Sequence, residues 1–221
     1  MKLLLNALLK LLSGLVLTWL LLFLPAGTWH YPGGWLFCAA LFLPMLVLGL
    51  ILYRSAPELL KKRLNTKEAD RRQQGVVAGA AVLFVISFVS AGLDFRFGWT
   101  RVPGWLSWTA VGILLASYAL YARVLRENAF LSRTVEVQQG QRVIDSGPYA
   151  VVRHPMYTAT IAMCLAIPLI LGSWVAFVPM PLYPAILVCR IRGEEALLTA
   201  ELPGYADYTR RVRWRLVPFL W

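Results

Sequence analysis

The sequence predicts an all-α fold: a polytopic integral membrane protein with five to six transmembrane helices. Three observations carry that prediction. Hydrophobic residues make up 59% of the 221-residue chain and charged residues 15%, with a mean hydropathy of +0.63, whereas soluble domains run at about 45–50% apolar and about 25% charged. Apolar runs near the roughly 20 residues needed to cross a bilayer recur along the chain and leave no charged stretch long enough for a soluble domain. The net charge of +11 is spread unevenly, because every Lys and Arg except Arg96 and Arg101 falls in segments that successive crossings return to one face. Basic residues gather on the cytoplasmic face of membrane proteins, so topology accounts for the charge and no nucleic-acid partner is implied.

Residues 3–24 form the first span. The apolar core of a secretory signal is usually about 7–15 residues long and ends at a small-x-small site; this run is longer and Pro25 follows it, so it is read as a retained helix. A turn holding Pro25, Gly27, Pro32, Gly33 and Gly34, free of Lys and Arg, leads into a second run at residues 35–53, and the two make a helical hairpin. Residues 54–75 carry Arg54, Lys61, Lys62, Arg63, Lys67, Arg71 and Arg72 against three acids, the signature of a cytoplasmic loop. A third run spans residues 76–93, and a fourth, opening after Pro103 and Gly104, spans residues 105–121.

Residues 123–154 are too polar to cross and form a cytoplasmic connector, broken by Gly140, Gly147 and Pro148, with a short alternating piece at 134–138. The apolar stretch 155–188 is too long for one helix and is interrupted by Gly172, Ser173, Pro179, Pro181 and Pro184, which predicts a re-entering hairpin of two spans or half-spans. The tail, residues 189–221, is basic and ends in 212–221, where alternating Arg and aromatic residues suit a headgroup surface. The chain thus divides into a four-helix membrane region, residues 1–122, and a region 123–221 made of connector, hairpin and basic tail. Both termini are expected in the cytosol.

Metal and disulfide chemistry find little support. Cys38, Cys164 and Cys189 lie far apart without CxxC spacing, and His30 and His154 are the only histidines, so neither a disulfide framework nor a metal site is signalled. A site, if present, belongs where the polar residues collect, in the connector and the tail. Two clusters stand out there. In the first, Pro155 holds Arg153 and His154 extended just before a helix start, where free N–H groups and the helix dipole favour an anionic ligand group; an anchoring Arg and an interfacial His are the plainer reading. In the second, Arg190 and Glu194 are spaced i, i+4 on one helix face, and an ordinary surface ion pair is the plainer reading.

The run Gly147-Pro148-Tyr149-Ala150-Val151-Val152-Arg153-His154-Pro155-Met156-Tyr157, followed by Arg190-Ile191-Arg192-Gly193-Glu194-Glu195 and then Leu198, Tyr205 and Tyr208, resembles the isoprenylcysteine carboxyl methyltransferase family, which is itself related to phospholipid N-methyltransferases. The likeness covers roughly residues 128–218. It implies a membrane methyltransferase that binds S-adenosyl-L-methionine at its cytosolic, C-terminal face and takes a lipophilic acceptor from the bilayer: an isoprenylcysteine carboxylate, or a related lipid or thiol. Carried over by position, Gln141, Arg142, Val143, Ile144, Tyr149, His154, Pro155, Met156, Tyr157 and Glu194 would hold the cofactor, and Arg190 would orient the acceptor. Two positions depart from the pattern: Gln141 stands where relatives commonly have His, and Leu202-Pro203-Gly204-Tyr205 is one residue shorter than the usual Phe-Gly-x-x-Tyr.

Methyl transfer from a sulfonium suits a chain poor in His, Cys and Asp, because an in-line displacement depends on positioning more than on acid–base help. Two other functions compete. Membrane sterol reductases, which use NADPH, end in a similar Arg-His-Pro-x-Tyr segment but have about twice the membrane helices. A small transporter would carry ionisable residues inside its spans, and the apolar cores of the first four runs hold none.

Overall fold

A computed structural model describes residues 2–65, 71–132 and 134–221 of the chain. Lys67 and Arg133, both counted toward the basic face, lie outside the described residues. Among the described residues eight α-helices follow one another: α1 (Lys2–Ala26), α2 (Pro32–Ser55), α3 (Pro57–Leu64), α4 (Arg71–Phe97), α5 (Gly104–Glu127), α6 (Pro155–Leu171), α7 (Leu182–Glu201) and α8 (Tyr205–Arg211). No strand occurs among the described residues.

Among the described residues four helices, α1, α2, α4 from Gln73 onward and α5, are long and apolar enough to cross a bilayer. At 17 residues α6 is apolar but shorter, about 26 Å at 1.5 Å per residue. It pairs with the apolar first half of α7 as the hairpin expected for residues 155–188. Proline opens α2, α3 and α6, where its missing N–H and fixed φ carry no penalty.

The core sits between α1, α2, α4, α5 and α6, around Leu22, Phe37, Phe88, Leu114 and Ile170, while Leu9, Val16, Leu43, Val47, Val82 and Val85 face outward. Outward apolar side chains are what a bilayer requires. α1 and α4 meet at Gly92, where a Cβ would lie 2.4 Å from the Leu22 carbonyl oxygen.

The bundle has two chemically different ends. At one, six of the nine tryptophans (Trp29, Trp35, Trp99, Trp105, Trp108 and Trp174) are exposed, as aromatic rings are at a membrane–water interface. Buried Asp94 ties this end together, accepting from the Thr100 N–H at 2.7 Å and from the Thr100 and Ser173 hydroxyls, and the Tyr31 hydroxyl donates to the Leu171 carbonyl at 2.7 Å. Arg96 and Arg101 are at this end too. At the other end Lys10 donates to the Leu64 carbonyl, and Arg63 of α3 donates to the Ser132 carbonyl at 2.9 Å and to the Tyr121 hydroxyl.

Two expectations are corrected. α7 runs unbroken from Leu182 to Glu201, so the boundary read at 188/189 falls inside one helix whose first half is apolar and second half polar. Residues 212–221 do not lie as a whole on a headgroup surface. The Arg153 and His154 amides donate to the Trp214 and Arg215 carbonyls, each at 2.9 Å, and Leu216 is buried against Tyr157, Leu187 and Ile191. Only the tip, Phe219 and Leu220, projects fully.

Candidate active site

The chain approaches the site through a 3-10 turn at Gly147–Ala150 and a segment ending at His154, whose φ of −126° and ψ of 60° are not the fully extended values expected but keep it out of the α region, which the following proline disfavours. Pro155 then opens α6. This segment brings Arg153 and His154 against Glu195 of α7. Arg153 Nε donates to Glu195 Oε1 at 2.7 Å, His154 Nε2 lies 3.1 Å from the same oxygen, and Arg215 Nε donates to Oε2 at 2.7 Å. The Arg153 guanidinium also caps the Val212 and Arg213 carbonyls, both at 2.8 Å.

Burial alone would raise the Glu195 carboxyl, but the bonds from His154, Arg153 and Arg215 together outweigh it and bring the group from 4.5 down to about 2. Arg153, Glu195 and Arg215 therefore form a clamp that joins the segment before α6, helix α7 and the C-terminal tail. Arg153, read from sequence as a possible ligand-facing cation, has its guanidinium engaged in this clamp.

A second network lies one residue and one turn away. The Tyr157 hydroxyl accepts from Arg190 Nε at 3.0 Å and donates to Glu194 Oε2 at 2.7 Å, and Arg190 Nη1 reaches Gln73 Oε1 of α4 at 3.3 Å. The His154 ring stacks on Tyr157 with centroids 5.6 Å apart. The i, i+4 relation of Arg190 and Glu194 is thus built around a tyrosine from another helix.

All eleven residues singled out from the sequence, from Gln141 through Glu194, line one cleft. They do so in different ways. The Gln141 side-chain carbonyl accepts from the Gln138 amide at 2.8 Å, shaping the connector itself. Tyr149 is fixed by Asn128, whose Nδ2 donates to its hydroxyl at 3.0 Å, and by the Tyr208 hydroxyl, which donates to its carbonyl at 2.8 Å. Burial raises the Tyr149 phenol, keeping it protonated at neutral pH.

Sequence reasoning assigned no role to Asn128, Phe130, Leu197 or Tyr205, which also line the cleft. Tyr205 is the most informative of these. It is 4% exposed, and its hydroxyl is the one fully buried side-chain polar atom without a hydrogen-bond partner among the described residues. A buried hydroxyl left unpaired costs free energy, so a polar partner is called for at that point. Tyr205 was quotable from the sequence, but its missing partner is visible only in three dimensions.

A second cavity lies between α2, α4, α5, α6 and α7 and is lined mostly by aliphatic and aromatic side chains. Among the described residues, its two charged lining residues are both arginines, Arg63 and Arg190, and it shares Met156, Tyr157 and Arg190 with the cleft. No group of three or more His, Cys, Asp or Glu suited to a metal occurs among the described residues.

Comparison with known proteins gives four matches. The sequence profile of the isoprenylcysteine carboxyl methyltransferase (ICMT) family matches residues 108–200. Among curated sequences, the chain is 29% identical over 135 residues to the cobalt-zinc-cadmium resistance protein CzcN of Cupriavidus metallidurans, covering 58% of this chain and 57% of that one, so it spans little more than half of that relative. It is 23% identical over 163 residues to the uncharacterized protein YpbQ of Bacillus subtilis, covering 69% of this chain and 95% of that one. The solved structure of the eukaryotic intramembrane Ras methyltransferase ICMT superposes with a TM-score of 0.50 at 17% identity, over 98% of this chain and 85% of that one. That likeness is one of fold.

Proposed function

From the match of residues 108–200 to the isoprenylcysteine carboxyl methyltransferase family profile, we propose that this membrane protein transfers a methyl group from S-adenosyl-L-methionine to a lipophilic acceptor with an anionic head. The observation that carries the reading is the meeting of two cavities. A polar cleft and an apolar cavity share Met156, Tyr157 and Arg190, so a water-soluble donor and a membrane-borne acceptor have one place to meet.

The residues of the cleft fit the donor. Glu194 offers a carboxylate to an amino or ribose group, the Tyr205 hydroxyl lacks a protein partner, and Tyr149, His154 and Tyr157 offer rings that attract a cationic sulfur. The N-terminal turn of α6, opened by Pro155, suits a carboxylate. The cofactor supplies an electrophilic methyl group on a sulfonium. The protein's part is positioning: Arg190, held by Tyr157, presents its guanidinium to the acceptor's head at the mouth of the apolar cavity, and Arg63 adds a second positive charge there. Two arginines in that lining, with no acid among its described residues, favour a carboxylate or another anion over a neutral amine.

The cleft is at the end of the bundle that carries Lys10, the basic α3 and the Arg-rich tail, so the reading places it in the cytosol with both termini. The test is purified protein in lipid, supplied with methyl-labelled S-adenosylmethionine and a membrane extract. Label is expected in a lipid-soluble acid or prenylated peptide as a base-labile ester. Absence of label from protein, lipid and volatile fractions alike would overturn the proposal.

A further inference from the structure

We propose that Gln73, at the cleft end of α4 and outside the family-matched segment, is a positioning residue for the transfer: it fixes the Arg190 guanidinium where the cleft meets the apolar cavity. The inference rests on reading Arg190 as the acceptor's anchor. Gln73 is 2% exposed although it belongs to a polar stretch. Its Oε1 accepts from Arg190 Nη1 at 3.3 Å, while Arg190 Nε is bound by the Tyr157 hydroxyl at 3.0 Å. A long side chain from α7 is therefore pinned from α4 and from α6. Pinning removes rotamer freedom before the acceptor arrives, and a fork held at two points keeps its plane.

The chemistry of glutamine matters. A carboxylate at this position would add a negative charge beside the guanidinium, whereas an amide oxygen accepts its N–H without adding one. The space for that amide comes from Gly193, one turn after Arg190 on α7. A Cβ at 193 would lie 2.5 Å from Gln73 Nε2, with Gln73 Cδ at 3.8 Å. The obstructing atom is the tip of a flexible side chain, so a methyl group there displaces the amide and leaves the helices packed.

The test uses the full chain in lipid nanodiscs and an N-acetylated S-prenylcysteine, a carboxylate on an apolar chain, as acceptor probe. Probe binding without donor, donor affinity, and kcat and KM are measured for Gln73→Ala, Gln73→Glu, Gly193→Ala and the Gln73→Ala/Gly193→Ala double variant. Gln73→Ala and Gly193→Ala are each expected to raise KM and weaken probe binding about tenfold, with donor affinity within about twofold, and the double variant should be no worse than either single one. Gln73→Glu, near-isosteric, should weaken probe binding more than Gln73→Ala, a charge sensitivity that a purely structural contact would not produce. Normal transfer by the wild type with unchanged kinetics and probe binding in both Gln73 variants overturns the inference alone. Failure of the wild type to bind the probe or transfer methyl to it overturns the functional reading beneath it as well.

Discussion

Arg190 and Glu194, one turn apart on α7, are joined through the hydroxyl of Tyr157, which accepts from the first at 3.0 Å and donates to the second at 2.7 Å. Removing that single oxygen should uncouple them. Tyr157→Phe keeps the ring that stacks on His154 and is expected to keep the fold, while leaving buried Arg190 and half-buried Glu194 each short of a partner, at a cost of about 1–3 kcal/mol. The expected outcome is a drop in methyl transfer of about tenfold or more with the unfolding temperature lowered by only several degrees, read by transfer assay and thermal denaturation in detergent.

Neighbouring glutamates should separate stability from binding. Glu195→Ala leaves Arg153 and Arg215 without their carboxylate, and breaking a buried ion pair from one side costs about 3–5 kcal/mol. Glu194→Ala loses one bond, from Tyr157. Thermal unfolding should therefore fall steeply for Glu195→Ala and little for Glu194→Ala, whereas calorimetric affinity for S-adenosylmethionine, measured on folded protein, should fall in Glu194→Ala.

The depressed Glu195 carboxyl sets an acid limit. Its folded value of about 2 lies below the ordinary 4.5, so its contribution is fully present above pH 4.5 and is lost as pH falls toward 2. Unfolding temperature followed from pH 6 to pH 2 should drop in this window, and Glu195→Gln should start lower and show a flatter profile.

Arg190 and His154 should fail differently. Arg190→Ala is expected to leave donor affinity within a few-fold and to reduce turnover, because it removes an orienting contact to the acceptor. Arg190→Lys should recover little, since one ammonium cannot reproduce bonds made by Nε and Nη1 at once. His154→Ala should mainly weaken donor binding. Equal loss of donor affinity in both alanine variants would place Arg190 with the cofactor.

Sidedness is testable by labelling single cysteines at Asn65 and Arg101, both exposed, in a Cys189→Ser background, because Cys189 is exposed whereas Cys38 and Cys164 are buried. Gly33 is a poor choice, since a Cβ there would lie 2.7 Å from the Leu171 carbonyl oxygen. Opposite accessibility is expected, with Asn65 on the cytosolic side.

The spans were legible because a bilayer imposes a local rule, roughly 20 apolar residues in succession, and α1, α2, α4 and α5 obey it within a few residues at each end. The junction of α6 with its preceding proline was legible for the same local reason. α7 was cut short because hydropathy changes at Cys189 while the backbone hydrogen bonding does not. The fold-back of residues 212–221 left no local trace: its backbone partners, Arg153 and His154, are about 60 residues away. Within the site, spacing brought Glu194 forward, since i, i+4 arithmetic sees only α7. The centrality of Glu195 depends on arginines from two other segments, and Gln73 came from a stretch that reads as solvated loop.

The sharing of Met156, Tyr157 and Arg190 by both cavities bears on how a reaction cycle would end. Esterifying a carboxylate removes the negative charge that two arginines attract and makes the molecule more oil-soluble. The product is thus repelled from nothing and simply no longer held, and its partition into the hydrocarbon phase runs downhill. The spent donor has the opposite preference and leaves toward water. A single seam between two solvents would then sort the products by polarity, and the chemistry itself would supply the direction of release.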